Sequence, residues 1–188
     1  MNAVFTPKRF KLTATDYHRL GQAGILTENS RVELIDGELI EMAPIGARQM
    51  ALVNRLTKLL VVAVGDLGVV SIQNPVALPP HSEPQPDIAI LKPPFSSAAP
   101  ALPEADDVML IIEVADSTLN YDRTTKLTLY AQANVREVWI VNVPADRVET
   151  YQDPHASGYL QSKEFGVTET VSPSALPEVT LAVGDIFR

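Results

Sequence analysis

The apolar run at residues 108–114 constrains the fold of this chain more than any other segment. Every residue in it is apolar except Glu113. A continuous apolar run of this length is typical of a central strand that is covered on both faces of its sheet. A carboxylate in such a strand is costly unless a cation pairs with it. Glu113 therefore predicts either a structural ion pair or a functional site inside the molecule.

Helical and extended patterns surround this run. Apolar residues recur at helical spacing in residues 47–64 and 120–133. Strands are predicted at residues 69–78, 88–91, 108–114 and 135–143. Pro75 places the first of these strands at a sheet edge or bulge. The order helix, three strands, helix and strand predicts an α/β (α+β) fold in which helices flank a central mixed sheet.

Both ends of the chain add β-hairpins to this core. At residues 31–42, Asp36-Gly37 supplies the two positive-φ residues of a tight turn between alternating strands. The last 35 residues show further hairpin patterns, which end at Ile186-Phe187. Residues 92–107 have the composition of a surface loop. Nothing indicates an internal linker, so residues 1–188 are predicted to form a single domain.

Cysteine and histidine usage limits the chemistry that the chain can carry. There are no cysteines, which excludes disulfides, thiolate zinc sites and cysteine nucleophiles. The three histidines, His18, His81 and His155, lie far apart in the sequence. A bound metal is therefore expected to be a hard ion held by oxygen, magnesium or manganese before zinc.

No segment has the composition of a signal peptide or of a membrane span. Residues 1–11 are short and basic, with no apolar core after them. The longest apolar stretch, at residues 59–64, is far too short to cross a bilayer. We therefore expect a cytoplasmic protein with no membrane partner.

The net charge of −8 opposes non-specific binding to nucleic acid, which depends on a basic surface. Residues 1–60 contain 8 Lys and Arg against 6 Asp and Glu, a net of +2, whereas residues 61–188 contain 7 against 17, a net of −10. A polyanion is therefore expected to approach the N-terminal part. The basic residues concerned are Lys8, Arg9, Lys11, Arg48, Arg55 and Lys58. The alternative is that they are ordinary solvated surface charges.

Two carboxylates and a lysine occupy positions that suit a metal-dependent phosphodiester hydrolase. Asp87 directly precedes the strand at 88–91, and Glu113 lies near the end of the run at 108–114. If these strands are antiparallel neighbours, the two carboxylates could share a cation at metal–oxygen distances of roughly 2.0–2.6 Å. Lys126, at the start of the next helix, would balance the negative charge at the attacked phosphate.

Each of these residues also has a structural interpretation. Glu113 could form a buried ion pair with Arg123 or Lys126. Lys126 and Asp122 could form an i, i+4 pair on the helix surface. Asp87 could be a turn residue. Their joint occurrence favours a site, because the structural interpretation requires three separate coincidences.

Two further residues remain open between a structural and a functional role. Glu33 lies on the first strand of the hairpin, where most glutamates face water. Gln49 extends the apolar stripe of the helix at 47–64 and is therefore expected to point inward. Its amide either bonds to neighbouring backbone or lines a site.

Five segments, in this order along the chain, resemble one known family. They are residues 32–38 (VELIDGE), 86–88 (PDI), 113–117 (EVADS), the line of Asp122, Lys126 and Tyr130, and residues 138–141 (VWIV). Together they resemble the Uma-two (Uma2) family of restriction endonuclease-like proteins, within the PD-(D/E)XK nuclease superfamily. The resemblance covers nearly the whole chain.

The resemblance implies a restriction-endonuclease-like fold and hydrolysis of DNA that depends on magnesium or manganese. Asp87 and Glu113 would ligate the metal, with Glu33 as a third acidic member. Lys126 would orient the nucleophile or stabilise charge on the phosphate. A homodimer is expected, because restriction-type enzymes cut two strands and this chain offers one site.

Two positions depart from the family pattern. The strand lysine of the superfamily would fall at Ala115, and Lys126 of the following helix takes its place. Gln49 stands where the family commonly has histidine, and an amide cannot act as a base near neutral pH. With the acidic net charge, this leaves a second function open: a catalytically silent relative that acts as a nucleic-acid-binding or assembly module.

Overall fold

A mixed six-stranded sheet forms the centre of the molecule. The computed structural model describes residues 8–27, 29–94 and 101–188. The strands are β1 Val32–Ile35, β2 Glu38–Glu41, β3 Val69–Ile72, β4 Ile88–Leu91, β5 Val108–Ala115, β6 Glu137–Asn142, β7 Arg147–His155, β8 Gly158–Phe165, β9 Thr170–Val171 and β10 Leu181–Ala182. The central sheet has the order β3-β4-β5-β6-β7-β8, with β5 and β6 parallel and all other neighbours antiparallel. The predicted mixed sheet is confirmed, and β3 lies at its edge.

Helices cover both faces of this sheet. They are α1 Ala14–Gln22, α2 Ala47–Val64, α3 Leu119–Tyr121, α4 Leu127–Gln132 and α5 Val183–Phe187, and a π-helix at Asp122–Lys126 joins α3 to α4. Short 3₁₀ turns lie at Gly65–Leu67, Ala105–Asp107 and Val143–Ala145. Residues of α2 and α5 pack on one face of the sheet, and residues of α4 pack on the other. Within the described ranges, no helix is both long and apolar enough to cross a membrane.

The alternation of side chains along β5 divides the core into two layers. Leu110, Ile112 and Val114 belong to the layer under α2 and α5. Ile111 and Ala115 belong to the layer under α4. All residues of β5 are buried, as the apolar run predicts for a strand covered on both faces. By the same alternation, the residue between Ile112 and Val114 faces α4.

The N-terminal hairpin packs against the proline-rich segment that leads into β4. Asp36 and Gly37 have φ angles of 48° and 80°, as the predicted turn between β1 and β2 requires. Leu34 forms a backbone bridge with Glu83, and the Gly37 N–H donates to the carbonyl of His81. These bonds hold the hairpin beside the start of β4.

The C-terminal part differs from the prediction of hairpins up to the last residues. β7 and β8 form a hairpin, but both extend the central sheet, and β9 pairs with β10 separately. Ile186 and Phe187 lie in α5, where Ile186 is fully buried in the core layer of α2. The apolar ending thus marks a packed helix. Of the predicted surface loop at 92–107, residues 95–100 lie outside the described residues.

Candidate active site

The register of the central sheet places Asp87 beside Glu113. Ile88 of β4 is paired with Ile112 of β5 in antiparallel register, so the residue before the first neighbours the residue after the second. The Asp87 backbone nitrogen lies 3.4 Å from Glu113 Oε2. The Val114 N–H donates to Asp87 Oδ2 at 2.9 Å. The condition under which the two carboxylates were expected to meet, that β4 and β5 are antiparallel neighbours, is therefore met.

Glu113 contacts two side chains of the helical layer across the core. Its carboxylate is buried, and Lys126 Nζ lies 3.2 Å from Glu113 Oε1. The Tyr130 hydroxyl donates to the same oxygen at 2.6 Å. Lys126 is only 7% exposed, so the alternative of a surface pair between Lys126 and Asp122 is wrong.

Glu33 joins the same cluster from the N-terminal hairpin. It is 5% exposed and therefore does not face water. Its Oε2 lies 3.2 Å from Lys126 Nζ and accepts a hydrogen bond from the Gln85 N–H at 3.1 Å. One ammonium thus bridges the carboxylates of Glu33 and Glu113. With Asp87 beside Glu113, the structure brings together all the site residues that the sequence predicted.

The π-helix turns Lys126 toward the core. Asp122 and Lys126 are buried, whereas the three residues between them are exposed. A π-helix has i→i+5 hydrogen bonds, is rare, and occurs frequently at functional sites. The apolar spacing of residues 120–133 predicts an ordinary helix, because one additional residue in a turn leaves no clear signature in that spacing.

A second cluster, around the buried Glu149, ties the π-helix to β7. Arg123 donates from Nε and from its terminal nitrogen to the Glu149 carboxylate, at 2.9 and 2.5 Å. Glu149 also accepts hydrogen bonds from Asn142 at 2.7 Å and from Tyr151 at 2.8 Å. The alternative in which Arg123 neutralises Glu113 is therefore wrong. The cluster holds in place the turn that carries the site lysine.

Burial and crowding of charge shift the pKa values of the site. Burial raises the pKa of Glu113 to about 8, despite the neighbouring charge of Lys126. Burial lowers the pKa of Lys126, but Glu113 and Glu33 outweigh it and raise that pKa above the ordinary range of lysine. Burial also raises the pKa of Asp122. Glu33, Glu113 and Asp122 lie around the buried ammonium of Lys126, and Asp87 lies beside Glu113, so carboxyl groups outnumber the one cation in this cluster.

A cavity of about 380 Å³ opens onto this cluster. Besides the predicted site residues and Gln49, it is lined by side chains that the sequence analysis missed. These include Arg31, Gln73, Gln85, Ser117, Thr118 and Tyr121. Tyr121 could have been predicted from the sequence, since it directly precedes Asp122, one of the residues on which the family resemblance depends. No sequence pattern indicates Gln73 or Gln85, because Gln73 follows the end of a strand and Gln85 lies in an irregular segment.

Amide side chains surround Asp87 at the wall of the cavity. The Gln49 amide nitrogen lies 3.5 Å from Asp87 Oδ2, and the Gln73 amide nitrogen lies 3.4 Å from Asp87 Oδ1. Gln73 has a φ of 50°, which is uncommon for a residue with a side chain. The Gln85 amide donates to the Gln73 carbonyl and supports this backbone. Gln49 thus lines the site, as its inward position predicts.

Comparison with known proteins supports this architecture. The model of the Uma2 family, described as "Putative restriction endonuclease", matches residues 14–184. The chain belongs to the Uma2 family. A solved structure of a "putative nuclease belonging to DUF820" from Anabaena variabilis is similar to this Uma2-family chain, with a TM-score of 0.73. The two share 16% identity over 94% of this chain and 97% of the other, which shows a common fold. No curated protein matches the sequence.

The carboxylates at the site of this Uma2-family chain are oxygen ligands of the type that a hard divalent cation takes. In the part of the chain that the structure describes, no three or more His, Cys, Asp or Glu side chains form a group that could hold a metal ion. Lys126 holds Glu33 in an ion pair that also involves Glu113. Asp87 and Glu113 remain side by side, and magnesium is usually bound through one or two carboxylates, with waters and substrate phosphates as the other ligands.

Among the described residues, none of the six basic N-terminal residues that were predicted to meet a polyanion lines the cavity. Arg9, Lys11 and Arg48 each pair with a solvent-exposed carboxylate. Arg55 donates to a backbone carbonyl of the C-terminal helix. The exposed cation that does line the cavity is Arg31, and the predicted approach along the six residues stays a prediction.

Proposed function

We propose that this chain is a metal-dependent phosphodiester hydrolase that acts on DNA, an endonuclease of the restriction type. The observation that carries the proposal is the buried contact between Glu113 and Lys126, with Asp87 beside it, at a cavity. Two carboxylates and an ammonium are groups that metal-assisted phosphodiester hydrolysis uses. The description of the Uma2 family and the nuclease named among similar structures support the same class of reaction.

Asp87 and Glu113 would hold magnesium or manganese, with Glu33 as a third acidic member. A divalent cation bound there supplies Lewis-acid polarisation of a phosphate oxygen and lowers the pKa of a water molecule. Glu113 must be ionised to act as a ligand, so cation binding competes with the proton that its raised pKa favours. Lys126 keeps its proton, and its ammonium can stabilise negative charge that develops on the phosphate.

DNA as the substrate is supported by the family description and by Arg31 at the cavity. The net charge of −8 repels a polyanion. The buried carboxylates beside the cavity increase that repulsion. A divalent cation would offset this charge locally. We therefore expect duplex DNA to bind more tightly with magnesium than with EDTA.

A cleavage assay with matched variants tests the proposal. Supercoiled plasmid and single-stranded DNA are incubated with the purified protein in EDTA, magnesium or manganese. We expect cleavage by the wild type only with metal. Glu113→Gln should lose at least about 100-fold in rate, as expected when a ligand or charge-stabilising group is removed. Glu178→Gln, a surface change outside the site, should cleave like the wild type.

Two outcomes would contradict the proposal in different ways. If the wild type cleaves with metal and Glu113→Gln retains that activity, the site assignment is wrong. If no metal supports cleavage of either substrate, the alternative function is favoured.

That alternative is a catalytically silent relative that binds nucleic acid or assembles with a partner. It is favoured by Gln49, whose amide lies 3.5 Å from Asp87 where the family commonly has histidine. An amide donates and accepts hydrogen bonds but cannot take up a proton at neutral pH. A silent module would bind DNA or a protein equally well with and without metal, and its affinity would survive Glu113→Gln.

We further propose that the chain acts as a homodimer. One set of site residues in the chain and the need to cut two strands favour two copies. Leu160 and Val167, near the C-terminal end of the sheet, are 69% and 49% exposed, and association would cover them. Light scattering at the concentration used for cleavage should give twice the mass of one chain. A single-chain mass would contradict the dimer.

A further inference from the structure

The hydroxyl of Tyr121 is buried and has no hydrogen-bond partner among the described residues. Buried polar atoms without a partner are rare, and leaving a buried hydroxyl unpaired is costly. Tyr121 lines the cavity together with Asp122 and Lys126. An unpaired donor at this position therefore needs an explanation that relates to the cavity.

The π-helix accounts for the position of Tyr121. Tyr121 is five residues before Lys126, and i→i+5 bonding brings residues at that separation to the same side of the helix. Tyr130 belongs to the same helical layer, but its hydroxyl donates to Glu113 at 2.6 Å. Of these two tyrosines, Tyr130 holds a site carboxylate. The side chain of Tyr121 lines the cavity, but its hydroxyl is shielded from solvent and has no partner among the described residues.

The surroundings keep Tyr121 protonated. Burial raises the pKa of Tyr121 to about 12, and the negative charge of Glu33 acts in the same direction. At neutral pH the phenol is therefore a hydrogen-bond donor and not a base. It lies among carboxylates and donates to none of them, so its acceptor is expected to come from a bound molecule.

We propose that Tyr121 turns its buried hydroxyl toward the cavity and donates a hydrogen bond to a phosphate oxygen of the nucleic acid that enters there. The inference rests on the proposed function, since it concerns the substrate of the same site. Tyr121 would then contact substrate directly, as a further residue of the candidate active site. A hydrogen bond to an anionic oxygen is stronger than one between neutral groups, and its donor would be satisfied only in the complex.

The test compares Tyr121→Phe with the wild type in thermal unfolding, in duplex oligonucleotide binding and in metal-dependent cleavage. Without DNA, Tyr121→Phe should keep or raise the melting temperature, because it removes a hydroxyl that bonds to nothing. Affinity for the duplex, or kcat/KM for its cleavage, should fall by about tenfold or more. Tyr17→Phe is the control, since its hydroxyl donates to the Val32 carbonyl outside the cavity. That variant should retain DNA affinity and cleavage.

The outcomes separate this inference from the proposed function. Wild-type cleavage together with an unchanged Tyr121→Phe variant overturns the inference alone. A fall in activity that is accompanied by a clearly lower melting temperature also overturns it, because it shows a structural role. A wild type that neither binds nor cleaves DNA overturns the proposed function and this inference with it.

Discussion

Lys126 Nζ lies 3.2 Å from Glu113 Oε1 in the interior of the molecule, although the lysine comes from a helix and the glutamate from the central strand. The same ammonium also lies 3.2 Å from Glu33. A carboxylate buried this deeply is costly unless a cation pairs with it. The candidate active site is therefore also part of the structural core, and changes in it are expected to alter both stability and reaction.

Lys126→Ala should destabilise the metal-free protein by about 3–5 kcal/mol, because two buried carboxylates lose their cation. Urea unfolding at pH 9, above the pKa of about 8 of Glu113, measures the change. Lys58→Ala, on the exposed side of α2, is the control and should change stability by less than about 0.5 kcal/mol. Adding Glu113→Gln to Lys126→Ala should recover part of the loss. Absence of any recovery would count against the bridging role of the lysine.

In EDTA, the stability of the protein should decrease as pH rises from about 5 to above 8. Folding raises the pKa of Glu113 from 4.5 to about 8, so the folded state binds this proton more tightly than the unfolded state. The resulting stabilisation is fully present below pH 4.5 and is lost as pH rises through 8. Urea unfolding across this pH window measures the slope. Glu113→Gln should flatten it, and an unaltered slope in that variant would assign the effect to another group.

Millimolar magnesium should raise the melting temperature of the wild type, because an ion that binds only the folded state stabilises it by mass action. At a free concentration of about 100 times Kd, the gain is about 2.7 kcal/mol. Calorimetry should show that Asp87→Asn abolishes the shift, whereas Asp66→Asn, which is exposed and outside the cavity, retains it. A wild type that does not respond to magnesium would favour the silent module.

Arg123→Ala should lower stability by about 1.5–3 kcal/mol, because the buried Glu149 loses two charge-assisted hydrogen bonds. Arg123→Lys should cause an intermediate loss of stability, since lysine keeps the charge but cannot form the bidentate contact with Glu149. Arg147→Ala breaks an exposed ion pair with Glu164 and should cost less than about 1 kcal/mol. Chemical denaturation of the three variants ranks them, and equal losses for Arg123→Ala and Arg147→Ala would contradict the buried role of Glu149.

Local patterns account for what could be predicted of the fold. The apolar run ending at Glu113 predicted a central strand because a strand buried on both faces tolerates few polar residues. Asp36-Gly37 predicted its turn because few residue pairs adopt two positive φ angles. Helix α2 was predicted with its observed bounds, since its apolar spacing is uninterrupted. Asp87 and Glu113 could be placed together only on the condition that their two strands are antiparallel neighbours, which the structure shows.

Only the tertiary structure decided how these parts combine into a site. Glu33 shares Lys126 because the N-terminal hairpin docks beside β4, a contact that no local pattern encodes. The π-helix and the left-handed backbone of Gln73 depend on packing and on hydrogen bonds from distant segments. By itself, the sequence determined the central strands, helix α2 and the identity of the chemical groups, because these follow from the periodicity and type of neighbouring residues. Contacts between segments far apart in the chain decide the rest. They determine which groups meet, which cation is already paired and which hydroxyl lacks a partner.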